Sequence, residues 1–326
     1  MTIQRQKFAV LALLALLGAL GCGHAKGSAD EYDAWATVTT RHFDVHTPLS
    51  AATAEEYAQQ LELVYGAMTT LMFPGVDLPP IEVLVFQRDL NARDAVTQSE
   101  GMGHERRPEG GIIVLVDRER HTTQRSPVNK FSTPWQVNAA REIAARLVKR
   151  GIPHAPPWFR AGVAHFLETV QVEPGVAKFG RREPLLENEL ALGRIIPLGQ
   201  LLADTNDSFH RDWPRSHEAS AWGFVSYLLT ADNGALRPKF DLIAASLEAN
   251  RGGAQGSLLA VQTAFPDLPF AELETRVHDY DVSVLGRRTT FPALSVPLAP
   301  VGQVEGTAVA AATDHVRGLL LALKHR

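Results

Sequence analysis

The sequence predicts an α+β fold, with a small α/β sheet region near the N-terminus followed by a mostly helical region. Two observations carry this. Up to Val116, short runs rich in Val, Ile and Phe are separated by turn residues, the pattern of strands. From Trp135 onward, apolar residues recur at three- and four-residue spacing in segments punctuated by Gly and Pro, the pattern of amphipathic helices.

The first segment is a leader. Residues 1–21 carry Arg5 and Lys7, then an apolar run from Phe8 to Leu20, then Gly21 before Cys22, which is the order of a basic, a hydrophobic and a small-residue region. The apolar run is too short to span a bilayer comfortably. The ending Leu16-Leu17-Gly18-Ala19-Leu20-Gly21-Cys22 resembles a bacterial lipoprotein box, although Ala19 and Leu20 stand where leucine and then a small residue are more usual. The resemblance implies that Cys22 is the lipidated first residue of the mature chain. An ordinary secretory signal with an incidental cysteine is the alternative. Cys22 is the only cysteine, so the chain can form no intramolecular disulfide and no structural cysteine–zinc site. Gly23 follows it, which under the sorting habit of enteric bacteria favours the outer membrane.

A polar tether over 22–32 leads to the body. Trp35 to Thr47, with Val38, Phe43 and Val45 among Thr and His, predicts a strand. Ala51 to Leu71 places Ala54, Tyr57, Leu61, Val64, Tyr65 and Met68 on one helical face. Pro79-Pro80 precedes a buried strand at Ile81 to Phe86. A polar loop containing Gly101, Gly103, Pro108 and Gly110 precedes another strand, at Gly110 to Val116. The helical region opens with Thr133 as N-cap and Pro134 in the first turn. Val137, Ala140, Ala144, Leu147 and Val148 form the apolar face of that helix, and Gly151 with Pro153 ends it. Further helices are expected at Leu185 to Leu202, Pro238 to Ala249, Gly256 to Ala264 and Phe270 to Tyr280. Arg287 to Gly302, with Pro292, Pro297 and Pro300, is expected to be a linker. Val304 to Leu323 is expected to be a terminal helix that docks on the body or a partner.

Charge narrows the partners. The chain has 32 basic and 36 acidic residues, for a net −4, and shows no basic stripe, so nucleic-acid binding has no support. Beyond the leader no apolar run reaches membrane-spanning length.

Two segments bear on function: Val137-Asn138-Ala139-Ala140-Arg141-Glu142-Ile143-Ala144-Ala145-Arg146-Leu147, and Pro156-Pro157-Trp158-Phe159-Arg160-Ala161-Gly162-Val163-Ala164-His165-Phe166-Leu167-Glu168. Together they resemble the frame of the gluzincin zinc metallopeptidases, in their peptidase-MA-like branch. There, a helix carrying H-E-x-x-H leads into P-x-W-hydrophobic-x-E-G-hydrophobic-A-x-aromatic-x-E. Two further stretches resemble the same family: the opening strand Val38 to Thr47, and Ser220-Ala221-Trp222-Gly223-Phe224-Val225-Ser226-Tyr227-Leu228-Leu229, a helix packed behind the site. The resemblance covers roughly residues 33–284; its motifs are specific in combination and weak singly. It implies a thermolysin- or aminopeptidase-like region, with an α/β part over about 33–125 and a helical part over about 126–284, then a linker over 285–303 and a C-terminal helix over 304–326.

The alignment places Arg141 and Ala145 where the two zinc histidines belong, and Ala161 where the glutamate ligand belongs. Only Glu142, at the general-base position, remains. Arginine offers no lone pair and alanine no donor atom, so these positions cannot hold zinc. Without a metal to activate water, Glu142 has nothing to assist. The expectation is a pseudo-metallopeptidase with no catalytic residue and no zinc or other cofactor. Arg141 is expected either to fill the vacated space and pair with Glu142 or Glu168, or to reach solvent. Glu218 stands where active relatives often place an aromatic donor, so that polar contributor is expected to be lost.

Glu142, His154, His165 and Glu168 form a candidate rewired metal set, disfavoured because the resemblance turns His165 outward, leaves His154 in a loop and makes Glu168 a supporting residue. No G-x-S-x-G elbow appears in the sequence. The expected function is a lipid-anchored cell-envelope protein whose inactive peptidase-like domain binds a protein or peptide in the old substrate cleft. An envelope hydrolase with a rewired metal site or non-zinc chemistry is the alternative.

Overall fold

The computed structural model describes residues 34–86, 112–116, 135–180, 184–211, 213–282, 294–298, 305–307 and 314–320. The leader, Cys22, the tether, the loop at 101–110, the cap Thr133-Pro134 and most of the proline-rich linker lie outside them. Within them the chain is a mixed α+β protein with a small N-terminal sheet.

The sheet is built from β1 (Ala36–Thr39), β2 (Phe43–Thr47), β3 (Ile81–Phe86), β4 (Ile113–Val116) and β8 (Glu305–Thr307), in the order β4-β3-β2-β1-β8. The stretch expected as one strand from Trp35 to Thr47 is a tight antiparallel pair, folded back where the Thr40 N–H donates to the Phe43 carbonyl. The connection from β2 through helix α1 (Ala51–Met72) makes β3 parallel to β2, and β4 is parallel to β3. Ser50 caps α1 by accepting from the Thr53 N–H. Val38, Val45, Val83 and Ile113 align in register across four strands and are fully buried in the main core. Their neighbours Leu84 and Phe86 point to the opposite face, as the two-residue period requires. There they meet Trp35 and the short helical segment 314–320, through Val316 and Leu320.

The helical part comprises α2 (Trp135–Gly151), α3 (Pro157–Glu168), α4 (Pro184–Ala191), α5 (Leu198–Ala203), α6 (Asn206–Arg211), α7 (Pro214–Thr230), α8 (Arg237–Ala249), α9 (Gly253–Ala264) and α10 (Phe270–Tyr280). Helix α3 lies at its centre, with ten of its twelve residues buried and only Arg160 and Ala161 partly exposed. It packs against α2 and α7. A helix apolar nearly all round has to be enclosed in this way. The Trp158 indole N–H, buried in the core, donates to Ser257 Oγ on α9 at 3.1 Å.

Three further expectations fail. The helix drawn over Leu185 to Leu202 is two helices, because Gly193 adopts a left-handed φ of 70° and Pro197 caps the next one. The segment expected as a linker over 285–303 contributes to a second, antiparallel sheet made of β5 (Gln171–Glu173), β6 (Val176–Phe179) and β7 (Leu294–Pro297). Part of the supposed linker is therefore a strand. The terminal helix begins later than expected, with 305–307 extended as β8 and the helix confined, among described residues, to 314–320. It docks on the body through the back of the first sheet.

Candidate functional site

Helices α2 and α3, which carry the positions singled out in the sequence, pack against each other. Arg141, Glu142 and Ala145 lie half-buried on α2, and Ala161 half-buried on α3. At the end of α3, Glu168 is fully buried, its side chain 0% exposed. Burying a lone carboxylate there would be costly. Each of its oxygens is instead engaged by a cation: Arg141 Nε donates to Oε2, and His165 Nδ1 donates to Oε1 at 2.8 Å. On the far side of the imidazole, His165 Nε2 stands 3.7 Å from Glu218 Oε2 on α7. The arrangement is a chain of alternating charge running Arg141, Glu168, His165, Glu218 across three helices.

Charge state follows from these contacts. Burial alone pushes the Glu168 carboxyl upward, but the pull and hydrogen bonds of His165 and Arg141 outweigh it, and Glu168 titrates below the ordinary carboxylate range. Burial likewise works against a charged His165. Glu168, with a smaller contribution from Glu218, overcomes it and raises the imidazole above its ordinary value. The two shifts have opposite pH signs. The stability from His165 is complete below its unfolded value of 6.5 and is lost as pH rises through the raised folded value. The stability from Glu168 is present above its unfolded value of 4.5 and is lost as pH falls through the depressed folded one. Urea stability of the wild type should therefore decline as pH is raised from about 6.5, and His165→Asn should flatten that decline. An unchanged slope in the variant would show that His165 carries no charge in the fold.

The structure selects one of the outcomes expected for Arg141 and corrects the expected site in two places, His165 and Glu218. Arg141 pairs with Glu168 rather than reaching solvent, while Glu142 is held within its own helix by Arg146 Nη1 at 2.9 Å. His165 does not face outward; it is 7% exposed because α3 is enclosed between α2 and α7. Glu218 keeps a polar role at the site, through His165. The rewired metal set is not assembled: His154 is exposed in the loop between α2 and α3, with its backbone N–H directed at Glu248, and Glu142 turns to Arg146. Of the four residues, only His165 and Glu168 meet.

Two features went unread in the sequence. Asp281, at the end of α10, is buried against α7 beside Gly223, where an added Cβ would collide with its carboxyl group. Burial pushes its pKa well above the ordinary value, and its Oδ1 has no hydrogen-bond partner among the described residues. It lines a cavity of about 360 Å³ together with Ile196, Leu201, Ser220 and Phe224. No periodicity marks such a residue. The second feature is a His46, Glu82 and His315 cluster on the back of the first sheet. Among the described residues it is the one group of three or more potential ligand side chains whose donor atoms all lie within 4.8 Å of one another.

No known family model matches the chain, and no curated protein matches it.

Proposed function

We propose that the chain is a lipid-anchored protein of the bacterial cell envelope whose domain descends from a gluzincin-like metallopeptidase, has lost catalysis, and binds a protein or peptide along the former substrate cleft. The observation that carries this reading is the Arg141–Glu168 pair. If the residue aligned with the first zinc histidine takes its hydrogen bond to Glu168, it does what a metal-ligating histidine does with an outer carboxylate. Arginine keeps that carboxylate neutralised without a metal, because its guanidinium stays charged at any relevant pH. The faces of α2 and α3 that carry Arg141, Ala145 and Ala161 remain partly exposed, so a ligand can reach them. The anchor rests on the leader and Cys22.

Two outcomes follow. The purified protein should show no chelator-sensitive cleavage of casein or of peptides; such cleavage would overturn the loss of catalysis. In cells the wild type should partition into detergent, whereas Cys22→Ser should be released or misprocessed. Identical partitioning of both would remove Cys22 as the anchor.

A further inference from the structure

On the back face of the first sheet, far from Arg141 in sequence, three side chains converge on one point. His46 from β2 and Glu82 from β3 project from neighbouring parallel strands, and His315 comes from the segment 314–320 laid across them. His46 Nε2 is 2.5 Å from Glu82 Oε2, and His315 Nε2 is 3.0 Å from Glu82 Oε1. The two imidazole rings lie 5.4 Å apart. His46 is 1% exposed, and its other nitrogen, Nδ1, is 2.7 Å from Thr37 Oγ1 on β1. His315 is half exposed.

From this geometry we infer that His46, Glu82 and His315 bind one divalent transition-metal ion of the zinc type, and that the ion clasps the C-terminal segment to the sheet. Two imidazole nitrogens and one carboxylate oxygen suit zinc, with water as the fourth ligand; calcium and magnesium prefer all-oxygen sets. The partner on Nδ1 is what a metal-binding histidine needs: a Thr37 oxygen accepting from Nδ1–H leaves the Nε2 lone pair facing the site. Donors around tetrahedral zinc stand roughly 3.4 Å apart, so small side-chain rotations close the set. The half-exposed His315 gives the ion and its water a way in. Val316 and Leu320 already seat the segment against Trp35, Leu84 and Phe86, so His315 is held over the site in advance. A rival without metal uses the same atoms as a hydrogen-bonded clasp, with Glu82 accepting from both rings.

Zinc binding separates the two. The full chain, stripped with a chelator and titrated with zinc salt in a calorimeter, should take up one equivalent, and its melting temperature should rise. His315→Ala should abolish both effects. Because His46 is buried and its replacement can disturb the sheet, the half-exposed His315 gives the deciding variant. Thr37→Val should keep the stoichiometry but weaken binding about ten- to a hundredfold, and His165→Gln should leave it unchanged. No saturable uptake would overturn this site and leave the proposed function standing. Uptake that survives His315→Ala but is lost in Glu168→Gln would overturn both, since the metal would then lie between α2 and α3.

Discussion

Arg141→Ala is expected to destabilise the protein by about 3 kcal/mol, because it strands a buried carboxylate. Glu168 has no exposed surface while the guanidinium covers it. His165 remains on the other oxygen at 2.8 Å, which keeps the loss at the lower end of what a broken buried ion pair costs. The partner variant supplies the control. Adding Glu168→Gln to Arg141→Ala removes the stranded charge, so the double variant should be more stable than Arg141→Ala alone. Urea denaturation of the three proteins at neutral pH measures the effect. A neutral Arg141→Ala would show that the guanidinium does not replace a cation there.

Gly162→Ala is expected to cost about 3 kcal/mol through overpacking. Gly162 sits where α3 crosses α7, and a methyl group there would be driven into the Ala221 carbonyl and come within 2.6 Å of Val225 Cγ2. Backbone cannot swing aside as a flexible side chain can, so the helices must part, and the His165–Glu218 contact spans that same junction. Gly66→Ala on α1 is the matching control. An added Cβ at Gly66 meets nothing within 4 Å, so the better helix former should stabilise by up to about 1 kcal/mol. A gain at Gly162 like the one expected at Gly66 would show that the close crossing costs nothing and would contradict the overpacking.

What could be read from the sequence divides along physical lines. Elements whose apolar pattern is complete within one segment were legible: α1, β3, α2 and α10 fall where their pattern puts them, to within one to three residues. The second sheet was not, because β6 pairs with β7 more than a hundred residues away, and a strand of three or four residues carries too little pattern to announce a distant partner. The break at Gly193 depends on one left-handed residue inside an otherwise helical spacing. At the candidate site, the presence of Arg141 and Glu168 was legible, but their pairing was one of several options. His165 was misread because its burial depends on α7 covering α3, a tertiary fact. A signal for its role was present nonetheless: His165 and Glu168 are three apart on a helix, and Glu218 stands four residues before Trp222. The His46–Glu82–His315 cluster joins residues up to 269 apart in the chain and left no local trace.

The central claim, that α2 and α3 preserve a zinc-site frame whose ligands have been replaced, is tested most directly by restoring them. Arg141→His, Ala145→His and Ala161→Glu are introduced together into the full chain, with His315→Ala also present so that the sheet cannot contribute metal, and bound zinc is measured after dialysis. The account predicts one zinc per chain in this protein and far less than one in His315→Ala alone. A well-folded protein carrying the restored ligands that binds no zinc would contradict it.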